Sequence, residues 1–93
     1  MKAQGMWIKS NGEIITVEPK NGIDFKYEEL REFVGGSIET VFLKNNEIMI
    51  VNEEGKLNQL DINSDATNIY IQSYGLNDFI VGNVLLTKIK NIK

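Results

Sequence analysis

The sequence predicts a single α+β domain with two short helices and a mostly antiparallel sheet, built from two hairpins and a C-terminal strand. Two asparagine-containing turns separate strand-like segments, and two other segments have the periodicity of helices. The resulting order is β-β-α-β-β-α-β. At 93 residues the chain can bury one core, so we expect one domain over residues 1–93 with an ordered core at about 6–89.

The first hairpin is predicted at Asn11-Gly12, a dipeptide that favours two-residue hairpin loops. Strand-forming residues flank this turn at 6–10 and 13–17. Pro19 ends the second strand, because proline has no N–H group to donate to a sheet.

A two-residue turn at this position places Ile8 opposite Ile15 and Trp7 opposite Thr16. If Ile8 faces the core, then Trp7 faces the other side of the hairpin. Trp7 is therefore a candidate exposed aromatic that anchors a partner, since tryptophan is frequent among binding hot spots. The alternative is that a loop or the C-terminal tail covers the indole.

The first helix is predicted from an apolar stripe with helical spacing, formed by Tyr27, Leu30, Phe33 and Val34. Gly35-Gly36 ends the helix, because glycine readily adopts the left-handed conformation that follows a last turn. Two residues are candidates for the N-cap: Asp24, a good capping residue, and Lys26, a poor one. Glu28, Glu29 and Glu32 are expected to face water, an interpretation that we favour over catalytic carboxylates or a metal site.

The second hairpin is predicted around Asn45-Asn46, with strands over 37–45 and 47–51. A two-residue turn pairs Lys44 with Glu47. Because both faces of these strands carry apolar residues, we expect this hairpin to be the central one of the sheet, covered by the helix on one side.

The second helix is predicted from Asp65 to about Ser73, capped by Asn63 or Ser64 and ended by Gly75. The residues expected to face the core are Ala66, Ile69 and Tyr70.

The chain closes with an apolar run at Val84–Ile89, which predicts a buried strand. If this strand lay at a sheet edge, it would pair two copies into a homodimer. The basic residues Lys88, Lys90 and Lys93 are interpreted as a solvated end rather than an anion site.

A polar, glycine-containing segment at Asn52–Lys56 follows the second hairpin, and we call it the corner. One hypothesis makes Asn52, Glu53, Glu54 and Lys56 a binding site for a ligand or a partner protein. The other, which we favour, is a sharp turn in which Asn52 hydrogen-bonds its own backbone and Gly55 has a positive φ.

Several short motifs occur in a consistent order along the chain. They are Val34-Gly35-Gly36-Ser37-Ile38-Glu39, the corner through Leu57, a helix start with Asn63, Ala66 and Thr67, and Ile80-Val81-Gly82-Asn83-Val84. In these motifs, over about Val17 to Leu86, the chain resembles a small family of domains of unknown function from bacteria, phages and mobile elements. It departs from the pattern at Asn83, where aspartate is more typical, and at Lys26, where threonine or serine fits better. The resemblance implies a phage or mobile-element-type accessory protein and supplies no catalytic residues.

The chemistry open to this chain is restricted because it has no histidine and no cysteine. Imidazole catalysis, thiolate nucleophiles and Cys/His zinc sites are excluded, and no glycine-rich nucleotide loop occurs, so we expect neither enzyme activity nor a cofactor. The net charge of −3 disfavours duplex nucleic acid as a partner. No apolar run has the length of a membrane span or a signal peptide, so we expect a cytoplasmic protein without a membrane partner.

These observations favour a small protein-interaction module that binds a host or mobile-element protein. Its acidic surface, the corner and Trp7 are the candidate contacts. The alternative is a small-ligand-binding domain or a carboxylate-based hydrolase, with a pocket beside the second hairpin that uses Glu53, Lys56 and Tyr70.

Overall fold

The computed structural model describes residues 3–92, and its elements confirm the predicted α+β class and the order β-β-α-β-β-α-β. Lys93, part of the predicted basic end, lies outside the described residues. The elements are β1 (Gly5–Ile8), β2 (Ile14–Val17), α1 (Tyr27–Val34), β3 (Ile38–Phe42), β4 (Glu47–Asn52), α2 (Ser64–Tyr74) and β5 (Val84–Lys88), followed by a 3-10 turn at Ile89–Asn91.

The five strands form one antiparallel sheet in the order β2-β1-β5-β4-β3. The C-terminal strand therefore lies at the centre, and the prediction that the second hairpin is central was wrong, because β3 is an edge strand. β5 is apolar because helices cover both faces of the sheet around it. Since β1 and β4 occupy both of its edges, β5 has no free edge with which to form a homodimer.

The first hairpin has a three-residue loop in place of the predicted two-residue turn. The N–H of Lys9 donates to the carbonyl of Glu13 at 2.8 Å, and Gly12 has a φ of 99°. This combination is typical of a turn followed by a glycine bulge. The register is shifted by one residue, and Trp7 lies opposite Ile15.

The second hairpin also differs from its predicted register by one residue. Asn45 and Asn46 both have positive φ, at 63° and 60°, as a two-residue turn requires. The carbonyl of Glu47, however, accepts from the N–H of Leu43 at 2.9 Å. Lys44 is therefore an extra residue on the β3 side of the turn, and it shifts each pair between β3 and β4 by one residue from the predicted register.

One face of the sheet is covered by α1. Leu30 and Val34 are buried there together with Phe25. Trp7 is half-buried on the same face: its ring packs edge-on against Phe33 at 5.5 Å between centroids, and its Nε1 donates to the carbonyl of Phe33 at 3.0 Å. The prediction of an exposed Trp7 is therefore corrected, and the cover comes from α1 rather than from a loop or the C-terminal tail.

The N-terminus of α1 is fixed by Glu29, which is buried instead of facing water. Its carboxylate accepts from the backbone N–H groups of Lys20 at 2.9 Å and Lys26 at 3.1 Å. The second bond is one half of a capping box and compensates for the poor cap residue. Glu28 and Glu32 are exposed, as predicted.

The other face is covered by α2, which has Asn63 as its N-cap and ends at Gly75, as predicted. Ile69 and Tyr70 pack against this side of the core. The buried residues on this side are Ile8, Met49, Val51, Ala66, Ile80, Val84 and Leu86.

Candidate binding groove

The attachment of α2 to the sheet is concentrated at its N-terminal end, in the side chain of Asn63. This side chain is fully buried, and its Nδ2 donates to the carbonyls of Ile8 at 3.0 Å and Gly82 at 2.8 Å. Its Oδ1 accepts from the N–H of Ala66 at 3.0 Å, which caps the helix. Ala66 is the one fully buried residue of the helix, so the C-terminal half of α2 makes only partial contact with the sheet.

A groove opens beneath that C-terminal half. Its volume is about 370 Å³, and it lies between α2, the edge strand β3, the corner and the segment 78–81. Its polar and aromatic lining includes Glu39, Glu53, Lys56, Tyr70, Tyr74 and Phe79.

Two tyrosines form the wall of the groove that α2 contributes. Tyr70 and Tyr74 are four residues apart, and their rings stack at 4.9 Å between centroids with 21° between the planes. The hydroxyl of Tyr70 lies within hydrogen-bond distance of Asn77 Oδ1 at 3.1 Å, and the hydroxyl of Tyr74 donates to the carbonyl of Phe42. Because both hydroxyls are bonded, the two rings have fixed positions beside the groove.

The opposite wall is a salt bridge between the corner and the loop after α2. Lys56 Nζ donates to the carboxylate of Asp78 and lies 4.6 Å from the ring centroid of Phe79. The hydrogen bond from Lys56, together with one from the backbone N–H of Phe79, lowers the pKa of Asp78 below its ordinary value. Asp78 is therefore ionised at neutral pH.

The corner itself is held by Asn52. Its Oδ1 accepts from the N–H of Glu54 at 2.8 Å, which confirms the predicted bond to the local backbone, and its Nδ2 donates to the carbonyl of Val34 at 3.2 Å. Gly55 does not have the predicted positive φ. It is buried, and a Cβ at this position would lie 2.8 Å from Val81 Cγ2, so close packing requires glycine here.

The groove contains three residues that the sequence proposed for a pocket, namely Glu53, Lys56 and Tyr70. Asn52 also lines it, but both ends of its side-chain amide are already bonded within the fold. Glu54 is exposed outside the groove. The structure therefore separates the corner into residues that face the groove and one that faces water.

Sequence reasoning did not place Glu39, Asp78 or Phe79 at this site. Glu39 belongs to the edge strand, whereas Asp78 and Phe79 follow α2, and no local pattern links the two segments. They meet because β3 lies at the sheet edge beneath the end of α2. Their proximity can be inferred only from the order of the strands in the sheet.

Two further observations concern residues 3–92. No group of three or more metal-ligating side chains is arranged there to hold a metal ion. No helix in this part of the chain is both long enough and apolar enough to cross a membrane.

Together these features define a small α+β domain with an open groove between its second helix and an edge strand. The chain belongs to the family described as Domain of unknown function (DUF3846), whose family model matches residues 8–92. No curated protein and no solved structure matches the chain significantly.

Proposed function

We propose that this chain is a non-enzymatic binding module whose partner occupies the groove between α2 and β3. The proposal rests on one observation: a single concavity joins the fixed tyrosine pair, the side chains of Glu53 and Lys56, and an edge strand. Concave sites that combine aromatic side chains with a few convergent polar groups are typical of binding sites.

A protein partner is favoured by the shape and charge of the groove. It opens along β3, and its charged lining consists of three carboxylates, on Glu39, Glu53 and Asp78, and the single ammonium group of Lys56. This gives a local net charge of −2 (one positive minus three negative charges). A basic surface of a host or mobile-element protein would complement it. A phage or mobile-element-type accessory role in the cytoplasm is the setting that we propose.

The salt bridge between Lys56 and Asp78 in the groove supports a role without catalysis. Asp78 is held ionised by Lys56, and a general acid needs the opposite shift of its pKa. Lys56 is itself engaged by Asp78, so its ammonium group is not positioned as a free nucleophile or base.

A small ligand is the second candidate, favoured by the volume of the groove. About 370 Å³ lies within the range of roughly 300–1,000 Å³ that small-molecule sites occupy. A carboxylate-based hydrolase that uses Glu53 would be the catalytic form of this candidate.

The test compares two double variants that have the same change in charge. Tagged wild-type protein, Glu53→Ala/Lys56→Ala and the control Glu28→Ala/Arg31→Ala are used to capture proteins from a lysate of the producing cells. The control pair lies on the exposed face of α1, away from the groove. We expect a stoichiometric protein that the wild type and the control capture and the groove variant does not.

Two results would contradict the protein-binding proposal. One is a partner captured equally by the groove variant, which would place the contact elsewhere. The other is that no protein is captured while native mass spectrometry shows a small molecule bound to the wild type, which would favour the second candidate. Circular dichroism of all three proteins checks that the substitutions leave the fold intact.

A further inference from the structure

One edge of β3 is free, and its pairing with β4 shows which main-chain groups face that edge. In an antiparallel ladder, alternate residues bond to the neighbouring strand and the others point away from it. The N–H of Leu43 donates to Glu47, and the carbonyl of Ser37 accepts from Glu53, so the odd-numbered residues of β3 face β4. The N–H and carbonyl of Thr40 therefore point to the free edge.

The open part of this edge is short, because α2 covers one end of it. The carbonyl of Phe42 accepts from the hydroxyl of Tyr74, and the N–H of Lys44 donates to Ser73 Oγ at 3.1 Å. The part that remains open is centred on Thr40, which lines the groove. Unpaired main-chain groups at a sheet edge are a template for an added strand.

The side chains of an added strand would alternate between the two faces of the sheet, and those on the α2 side would enter the groove. There they would meet the stacked rings of Tyr70 and Tyr74 and the carboxylates of Glu39 and Glu53. Within residues 3–92, neither of these glutamates takes part in a salt bridge. A guanidinium or ammonium group fits this lining, because carboxylates neutralise its charge and aromatic rings attract cations.

We propose that the partner contributes an extended segment that adds to β3 beside Thr40 and places an arginine or lysine side chain in the groove. This inference rests on the proposed binding function and names the chemical class of the partner. Main-chain hydrogen bonds to Thr40 would supply sequence-independent affinity, and the cationic side chain would supply specificity.

The first experiment uses synthetic peptides and wild-type protein labelled with ¹⁵N. The probe is a seven-residue peptide of alternating threonine and valine with a central arginine, compared with the same peptide carrying a central glutamate. Two further arginine peptides are N-methylated on one or the other set of alternate amides. We expect the arginine peptide to shift the amide resonance of Thr40, and the glutamate peptide to bind at least about tenfold more weakly.

N-methylation tests strand addition directly, because only one set of alternate amides can face β3. One methylated peptide should therefore lose binding and the other should retain it. Equal binding of both methylated peptides would overturn the strand-addition geometry, and equal binding of the arginine and glutamate peptides would overturn the cationic specificity.

A matched pair of variants tests the same geometry from the side of the protein. Thr40→Pro removes an N–H that points to the free edge and adds a ring in the path of an incoming strand. Thr16→Pro is the control, since the pairing of Lys9 with Glu13 places the N–H of Thr16 on the free edge of β2. We expect Thr40→Pro to weaken binding by about tenfold or more and Thr16→Pro to leave it unchanged.

Failure of this inference can be told apart from failure of the proposed function. If Glu53→Ala/Lys56→Ala abolishes capture of a partner but none of the peptides binds, the groove is the site and the cationic strand is wrong. If the capture is also unaffected, both proposals fail. Should Thr40→Pro not fold, the methylated peptides decide the question with the wild-type protein alone.

Discussion

The two helices cover opposite faces of one sheet, but α1 is anchored at both of its ends, whereas α2 has its buried anchor only at its N-terminal end. The C-terminal end of α1 is hydrogen-bonded to the sheet, because the carbonyls of Phe33 and Val34 accept from the side chains of Trp7 and Asn52. The N-terminal end of α2 is fixed by Asn63.

This difference decides where the protein has a concave surface. α1 is anchored at its last turn by hydrogen bonds and at its first turn by the buried Glu29, and Leu30 and Val34 are buried between these anchors. α2 has no comparable buried anchor among its last residues, where the bonded tyrosine hydroxyls are exposed. A helix with buried anchors at both ends closes its face of the sheet, whereas α2, which is held near its last turn only by exposed hydrogen bonds, leaves a groove there.

The largest effect is expected where α2 is anchored. Asn63→Ala removes the helix cap and leaves the buried carbonyls of Ile8 and Gly82 without their donors. We expect a loss of about 3 kcal/mol in the free energy of unfolding, from the lost cap and from the two buried hydrogen bonds that Asn63 Nδ2 donates. Urea denaturation followed by circular dichroism measures this loss.

Asn68→Ala is the matched control, because Asn68 is an exposed residue of the same helix. Its replacement should change stability by no more than about 0.5 kcal/mol. A loss of similar size in both variants would show that the loss in Asn63→Ala is not specific to the anchor at Asn63, because alanine at position 68 has a higher helix propensity than asparagine.

The elements of the fold could be predicted from the sequence, whereas their pairing could not. The helix α1 and the cap at Asn63 are local patterns, and both appear in the structure where the sequence places them, but Tyr27 of the predicted apolar stripe is exposed and Glu29 is buried in its place. The hairpin registers depend on one extra residue, Lys44 in one loop and a glycine bulge at Gly12 in the other. That choice follows from packing across the whole sheet, so the turn dipeptides alone do not determine it.

The groove shows the same limit. Glu53, Lys56 and Tyr70 were identifiable because the corner is a polar segment directly after an apolar strand and Tyr70 lies on the predicted inward face of the second helix. Glu39 could not be identified, because its position beside the groove depends on β3 being an edge strand. The apolar character of β3 favoured a central position, and β5 occupies that position instead.

A smaller effect is expected at the anchor of α1. Trp7→Phe retains an aromatic ring beside Phe33 but removes the N–H that donates to the Phe33 carbonyl. We expect a loss of about 1 kcal/mol in the free energy of unfolding, since the acceptor is only partly buried and Asn52 still holds the next carbonyl. Tyr27→Phe, at an exposed position of α1, is the control and should be nearly neutral. If Trp7→Phe lowered stability as much as Asn63→Ala, the last turn of α1 and the first turn of α2 would be anchored with equal strength. The comparison between the helices would then fail.

The smallest effect is expected at the salt bridge between Lys56 and Asp78, which lines the groove near the C-terminal end of α2. Lys56 and the backbone N–H of Phe79 lower the pKa of Asp78, so the ionised carboxylate is favoured more in the folded protein than in the unfolded chain. The stabilisation is therefore present above the unfolded-state pKa of about 4 and is lost as the pH falls through the lower pKa of the folded state. Because both side chains are about half exposed, we expect only a few tenths of a kcal/mol.

Thermal unfolding of the wild type and Asp78→Asn at several pH values between 7 and about 2.5 measures this contribution. The wild type should be slightly more stable at pH 7, and the difference should disappear at the acid end. Asp61→Asn, which removes an exposed carboxylate outside the groove, corrects for the change in net charge. A difference that persists at the acid end would mean that Asp78 stabilises the loop through its uncharged contacts, and the segment after α2 would then be a second anchor rather than an open end.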